Sequence, residues 1–252
     1  MARTARLLYK NFVLDAGVTV TASSAATGYP ATNLLSPARF QKWRSASGVG
    51  NQNVDFDFLT NRTFNVIALA DVKKHTGGSL KSQYWDGSAW VDLFFIDVLT
   101  PNPTGVSAVF FTNQIRSKVR LLFTNTTAVN EYVEIGVVSI AAYYEPVVSI
   151  LRGWGLTYVA PDDVVRTPGG QRTAERRAPY AVIRGSMSEP DSERPTLVDV
   201  ARTVGKHTPV FLAINPDDVQ NFMWYGRFDK PPDLSQITVG QWAASFEFSE
   251  DV

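Results

Sequence analysis

The sequence predicts a mainly β protein: an N-terminal β-sandwich of jelly-roll type over 1–145, followed by a smaller β-rich α+β domain with one helix over 146–252. Three observations carry this. Short alternations of apolar and polar residues recur through the first half; Val54-Asp55-Phe56-Asp57-Phe58 puts three apolar side chains on one strand face and both carboxylates on the other. Turn-forming residues punctuate these stretches, giving about eight strands in about 140 residues, the rhythm of a sandwich or jelly roll. Only one stretch has convincing helical spacing, Leu197, Val200, Ala201 and Val204, preceded by Pro195 in the position suited to a first turn.

Taken in order, Leu7-Leu8-Tyr9, Phe12-Val13-Leu14 and Val18-Thr19-Val20-Thr21 read as short strands around an Asp-Ala-Gly bend. The small and turn residues of 23–47 predict an irregular loop with a short turn near Ala31 to Leu35. Val54–Phe58 and the buried Val66–Ala70 follow as separate strands. In Tyr84-Trp85-Asp86-Gly87-Ser88-Ala89-Trp90, Asp-Gly predicts a two-residue type I′ hairpin, whose twist suits paired strands. Further strands are expected at Phe94–Val98, Val106–Thr112 and Ser117–Thr124, and the strongly apolar Tyr132–Tyr144 suits a strand buried on both faces.

Composition shifts after Tyr144. Val147–Leu151 starts a new apolar run. Residues 160–179 are rich in Pro, Gly and Arg and read as a long exposed loop, in which Arg166, Arg172, Arg176 and Arg177 form a candidate assembly interface that would order against a neighbouring subunit. Strands are expected at Tyr180–Met187, Pro209–Ile214, Phe222–Phe228 and Ile237–Phe248, with turns at Asn215–Asp218 and Lys230–Asp233.

Lys and Arg together number 24, as do Asp and Glu, so the chain lacks the long-range positive field of a nucleic-acid-binding or basic membrane-surface protein. There is no cysteine, which excludes disulfides, thiolate metal sites and thiol nucleophiles. The start lacks the apolar region of a signal peptide, and no apolar run reaches the about 18 residues of a membrane-spanning helix, so synthesis in the cytoplasm without membrane insertion is expected. The sequons at Asn61 and Asn125 are then expected to carry no glycan.

Catalytic signatures are missing. His75 and His207 read as exposed loop histidines without metal-site spacing, and neither Gly-x-Ser-x-Gly nor a phosphate-binding Gly-x-x-x-x-Gly-Lys-Ser/Thr loop occurs. Asp55 and Asp57 share a strand face but read as solvated alternation rather than the two carboxyl groups of a glycosidase, which approach from different elements. The expectation is a non-enzymatic protein with no cofactor and no metal. Among the aromatics, Trp43, Arg44 and Trp85 are the candidate carbohydrate-binding residues, because a tryptophan beside an arginine or at a hairpin end can stack on a sugar. The alternative for Trp85 and Trp90 is cross-strand packing, and for Trp43-Arg44 a structural plug with a paired guanidinium.

Tyr29-Pro30-Ala31-Thr32-Asn33-Leu34-Leu35, Trp43-Arg44-Ser45, Val54–Phe58 and Asn65-Val66-Ile67-Ala68-Leu69, followed by the tryptophan-flanked hairpin, resemble in order and spacing the galactose-binding-like, discoidin-type jelly rolls of bacteriophage tail proteins. Trp224–Phe228 and Gly240–Phe248 are more loosely similar to the closing strands of phage tail components. The resemblance implies a structural component of a tail tip or baseplate in the virion, partnered by other tail proteins and assembled as a ring or trimer. It also implies the alternative of a carbohydrate-binding module for host-surface glycans. Ligand residues of such jelly rolls lie in variable loops, so none is carried over.

Overall fold

The computed structural model describes residues 4–46, 50–75, 77–96, 105–124, 131–147, 154–161, 163–166, 172–175 and 178–251. The chain divides into two compact units: Arg3–Glu145 with Phe211–Tyr225, and Pro146–Val210 with Gly226–Val252. The first contains β1 (Arg6–Asn11), β2 (Thr19–Ala22), β3 (Trp43–Arg44), β4 (Gln52–Ala70), β5 (Ser79–Trp85), β6 (Trp90–Ile96), β7 (Val106–Thr124), β8 (Glu134–Ile135) and β9 (Val137–Tyr144). The second contains β10 (Gly155–Val159), β11 (Asp163–Arg166), β12 (Arg172–Glu175), β13 (Tyr180–Pro190) and α1 (Arg194–Val204). The chain then returns to the first unit through β14 (Val210–Ala213) and the one-turn α2 (Val219–Phe222), and runs out through β15 (Met223–Thr238) and β16 (Gln241–Glu250). The fold class is the one expected, mainly β with a jelly-roll sandwich first and, among the described residues, a single helix of several turns.

In the first unit the antiparallel order is β14-β1-β9-β4-β7-β5-β6, with β2 also on β4. Two long strands make it a sandwich. The first part of β4 pairs with the end of β7 (Gln52 opposite Phe123), and its second part pairs with the beginning of β7 (Ala70 opposite Val106) and with β9. Between these parts the register shifts, so both strands pass from one layer to the other. The layers enclose Trp43, Val54, Phe56, Phe64, Ile67, Leu69, Val119, Leu121 and Phe123, all without exposed surface or nearly so. Val66, Ala68 and Ala70 point the other way, into a second cluster with Leu8, Phe211, Met223 and Tyr225. Val66–Ala70 is thus buried on both faces, as its unbroken apolar run suggests. β9 repeats the arrangement, with Val138 and Ile140 in one cluster and Val137 and Ala141 in the other.

The second unit carries the antiparallel order β10-β13-β16-β15. Phe228 meets Phe246 and Phe248 edge-on, at 5.7 and 5.4 Å between ring centroids. Helix α1 buries Leu197, Val200 and Val204 of the predicted apolar stripe, with Ala201 partly buried and Pro195 in its first turn. Gly226 is obligatory, since a Cβ there would lie 2.0 Å from the Ser249 carbonyl oxygen.

Several local expectations are corrected. Phe12–Leu14 is a 3-10 turn rather than a strand, because the Asn11 carboxamide oxygen accepts from the Val13 amide and caps it. Val54–Phe58 and Val66–Ala70 are parts of one strand, as are Val106–Thr112 and Ser117–Thr124. Lys230–Asp233 lies inside β15 as an irregularity of pairing with β16. The 160–179 stretch contains the β11–β12 hairpin, with Asp163 opposite Glu175 and Arg166 opposite Arg172. Most of Val147–Leu151 lies outside the described residues, as does the end of the Phe94–Val98 strand.

The 84–90 hairpin is present, but Trp85 pairs with Trp90 across a four-residue loop. Only Gly87 has a positive φ, of 110°, so the two positive angles of a type I′ turn are not adopted. The reason lies in Asp86: its Oδ1 accepts from the Ser88 and Ala89 amides and from the Ser88 hydroxyl, each within 2.9 Å, which fixes a wider loop.

The ring of Phe56 fills the space between the layers, so Phe56→Ala is expected to lower unfolding free energy by about 3–5 kcal/mol in urea titration. A loss below about 1 kcal/mol would show that the layers do not depend on this packing.

Candidate functional site

The two residues of β3 were expected to meet a sugar, and the structure gives them another task. Trp43 is fully buried beside Phe123, at 6.1 Å between centroids, and its indole N–H donates to the Ser24 carbonyl at 3.0 Å. It has no face to offer a ligand, which corrects that assignment. Arg44 lies between the rings of Tyr29 and Tyr132, at 4.1 and 4.2 Å, and its Nε donates to Glu134 at 2.7 Å. Lys42 donates to the same carboxylate at 3.1 Å, and Lys73 covers Tyr132 at 3.8 Å. With both guanidinium faces covered and a buried carboxylate bound, Arg44 is a fastener between β3, β8 and the loop carrying Tyr29.

Of the assembly candidates, Arg166 and Arg172 face each other across the β11–β12 hairpin, while Arg176 and Arg177 lie outside the described residues. His75, expected in the open, is 1% exposed with Nδ1 3.5 Å from Glu131. The loop closes over it: the Gly78 amide donates to the His75 carbonyl and Lys74 Nζ to the Gly78 carbonyl. His207 is exposed.

Of the three predicted carbohydrate-binding residues, Trp85 lines a cleft. This cleft of about 380 Å³ is lined by Asn61, Tyr84, Trp85, Asp86, Arg116 and Ser117, with Gly87 and Ile115 completing it. Three elements build it. On β4 the register jumps from Asp57 opposite Lys118 to Arg62 opposite Arg116, so residues 58–61 stand against Ser117 alone. The bulge is turned by Leu59, at φ 63° and 67% exposed, whose amide donates to Asp57 Oδ1. It carries Asn61 to the cleft. The end of β5 brings Tyr84 and Trp85, and the Asp86 loop closes one side. The middle of β7 brings Arg116, whose guanidinium lies 4.1 Å from the centre of the Tyr84 ring.

Behind the cleft the sheet surface is locked by charge pairs. Trp85 meets Trp90 edge-on at 5.5 Å, and Arg120 covers Trp90 at 4.1 Å while binding Asp55 through two 2.7 Å hydrogen bonds. Asp57 accepts from Lys118 Nζ at 2.8 Å, and Lys81 and Gln83 both bind Asp92. The Lys118 hydrogen bond holds the Asp57 carboxyl below its ordinary range, and Lys81, with help from Gln83, does the same for Asp92. Asp86 is lowered by the Ala89 and Ser88 amides.

A second cleft of about 470 Å³ lies within the first unit, lined by Arg6, Val106–Phe110 and Pro216–Gln220. Its ring, Phe110, is covered by Arg6, which also binds Glu145. The Trp85 cleft sets two aromatic side chains, Tyr84 and Trp85, beside an amide, a hydroxyl and charged groups, whereas the second cleft has the single aromatic ring of Phe110. Tyr84 and Arg116 carry no sequence signal for this role. Asn61 had one only as a sequon.

No protein-family model matches the sequence, and no curated protein matches it. Solved structures similar to this chain include chitosan-binding module 1 of the chitosanase/glucanase from Paenibacillus sp. IK-5, at 21% identity and TM-score 0.43, covering 54% of this chain and 98% of that one. They also include a Ruminococcus gnavus GH29 fucosidase in complex with fucose, at 12% identity and TM-score 0.43, covering 54% of this chain. The match spans 27% of that fucosidase.

Because the folded Asp57 and Asp92 carboxyls titrate below the ordinary 3.8, their pairs stabilise the fold above about pH 4 and lose that contribution as pH falls through the lowered values. Thermal midpoints measured from pH 7 to 3 should drop at the acid end, and Lys118→Met should show a shallower drop. Parallel curves for the two proteins would remove Asp57 from this account.

Proposed function

We propose that the protein is a non-catalytic glycan-binding component that holds a sugar in the Trp85 cleft. The observation that carries this is the junction of a partly buried tryptophan with Tyr84, Asn61, Asp86 and Ser117 in one concavity of about 380 Å³. Binding sites of this size combine an apolar wall with a few polar groups that fix orientation. A pyranose presents an apolar C–H face and a ring of hydroxyls. Trp85 suits the first, and the Asn61 amide, the Ser117 hydroxyl and the Asp86 carboxylate suit the second. The non-catalytic part of the reading is supported by Asp55 and Asp57: each is bound by a cation, and Asp57 is shifted down, whereas a general acid needs a raised value.

A structural place in a phage tail tip or baseplate, synthesised in the host cytoplasm and assembled with other tail proteins as a homo-oligomeric ring or trimer, is a second reading compatible with the first. It is supported by the ordered run of Tyr29–Leu35, Trp43–Ser45, Val54–Phe58 and Asn65–Leu69. Mass spectrometry of purified particles would detect the chain if this holds, and its absence from them would end the reading.

For the glycan site, Trp85→Ala should leave the thermal midpoint within a few degrees and reduce affinity for a glycan found by array screening by at least about tenfold, as expected for an aromatic anchor. Unchanged affinity in Trp85→Ala would move any sugar site elsewhere on the molecule.

A further inference from the structure

The Trp85 cleft contains a cation that no carboxylate among the described residues pairs with. Arg62 and Arg116 lie directly opposite each other on β4 and β7, a like-charge pairing that costs stability in a sheet. Arg62 is relieved by Asp15, 2.8 Å from its Nη2. Arg116 has no carboxylate within ion-pair distance among the described residues. Its Nη1 donates to the Ile115 carbonyl at 2.8 Å, its face rests on Tyr84, and its buried Nε finds no acceptor among the described residues. A guanidinium fixed by stacking, lining a cleft and with Nη2 making no hydrogen bond among the described residues, is prepared for an anion at its Nη end.

The cleft also holds an anion, Asp86. Its Oδ1 accepts three hydrogen bonds from Ser88 and Ala89, which fix the carboxylate in the hairpin loop and leave Oδ2 for a sugar hydroxyl. Arg116 has no comparable set of partners among the described residues, so the charged ligand group is assigned to it.

Resting on the reading of this cleft as a sugar site, we infer that the sugar it selects is carboxylated, a uronic acid whose carboxylate takes the Nη end of Arg116 while its ring lies against Trp85. A carboxylate fits the guanidinium edge in a bidentate manner, and Tyr84 behind the guanidinium holds that edge in place. Asn61 and Ser117 are left for the hydroxyls. A neutral sugar could offer Arg116 only hydroxyl oxygens and no counter-charge, and an amino sugar would bring a second cation beside Arg116.

The test uses the full chain and three probes: an oligouronate, its methyl ester, which removes the charge and keeps the sugar, and a neutral oligosaccharide of the same length. Binding is followed by calorimetry and by the Trp85 indole resonance in nitrogen-15 NMR. The oligouronate should bind about tenfold or more tightly than its ester, the strength typical of charge-assisted hydrogen bonds. Arg116→Gln should abolish that ratio, Arg116→Lys should retain part of it, and Trp85→Ala should weaken both ligands. Equal binding of acid and ester, with the Trp85 resonance moving for both, would overturn the preference and leave the glycan site standing. A Trp85 resonance that moves only for the neutral probe would do the same. No movement with any probe would overturn the preference together with the site. A preference that persists in Arg116→Gln would also overturn the assignment to this residue.

Discussion

The first unit depends on two strands that each serve both layers. β4 and β7 are 19 residues long, and their pairing continues through a shift of register rather than stopping. A strand has only two faces, so one that crosses between layers must satisfy a different neighbour on each side of its bend. Val54, Phe56 and Phe58 do this with a single inward face; Val66–Ala70 do it with both. The difference follows from coverage, since the second part of β4 is flanked by β7 and β9 and has a packed cluster on either side. Burial of the aromatic interior then supplies the driving force, and the hydrogen-bond ladder sets where each ring falls.

The bend that makes the sandwich also makes the cleft. Residues 58–61 leave the ladder at Asp57 and rejoin it at Arg62, and the chain accepts a left-handed leucine to do so. The surrounding pairs hold this geometry: Asp57 receives the Leu59 amide and the Lys118 ammonium, while Arg120 pins Asp55 one pleat away. Rigid neighbours suit a recognition surface, because side chains already held in place lose less freedom when a ligand arrives. Arg44, by contrast, is spent on the fold. Its charge and both its faces are engaged, and the tryptophan beside it anchors the core.

Alternation in the sequence reports which face a residue occupies, and there the reading was accurate: Val54, Phe56, Phe58, Val119, Leu121 and Phe123 are all core. The helix was legible for the same reason, from Leu197, Val200 and Val204. Alternation says nothing about which strand lies alongside. The union of Val106–Thr112 with Ser117–Thr124 follows from the long pairing with β4, which no local pattern contains. The hairpin loop was misjudged because Asp86 offered its own carboxylate as a turn partner, an option that competes with the backbone preference of Asp-Gly. Trp43 was misplaced because residue type does not fix exposure, and its indole found a carbonyl inside the protein. Arg116 was invisible for a further reason: what distinguishes it from Arg62 or Arg120 is that no carboxylate among the described residues pairs with it, and partners are assigned only when strands are in register.

The return of Phe211–Tyr225 to the first unit bears on how this chain could have arisen. Phe211, Ala213, Met223 and Tyr225 form part of that unit's second apolar cluster, and Gly226, the next residue, already belongs to the other unit. The two units therefore interleave along the sequence. A single recombination joint after residue 145 would carry off the side chains that cover Leu8, Val66 and Ala68, leaving an adhesive apolar face on the fragment that remained. The arrangement resists modular shuffling, so the sandwich and its companion are expected to be inherited together.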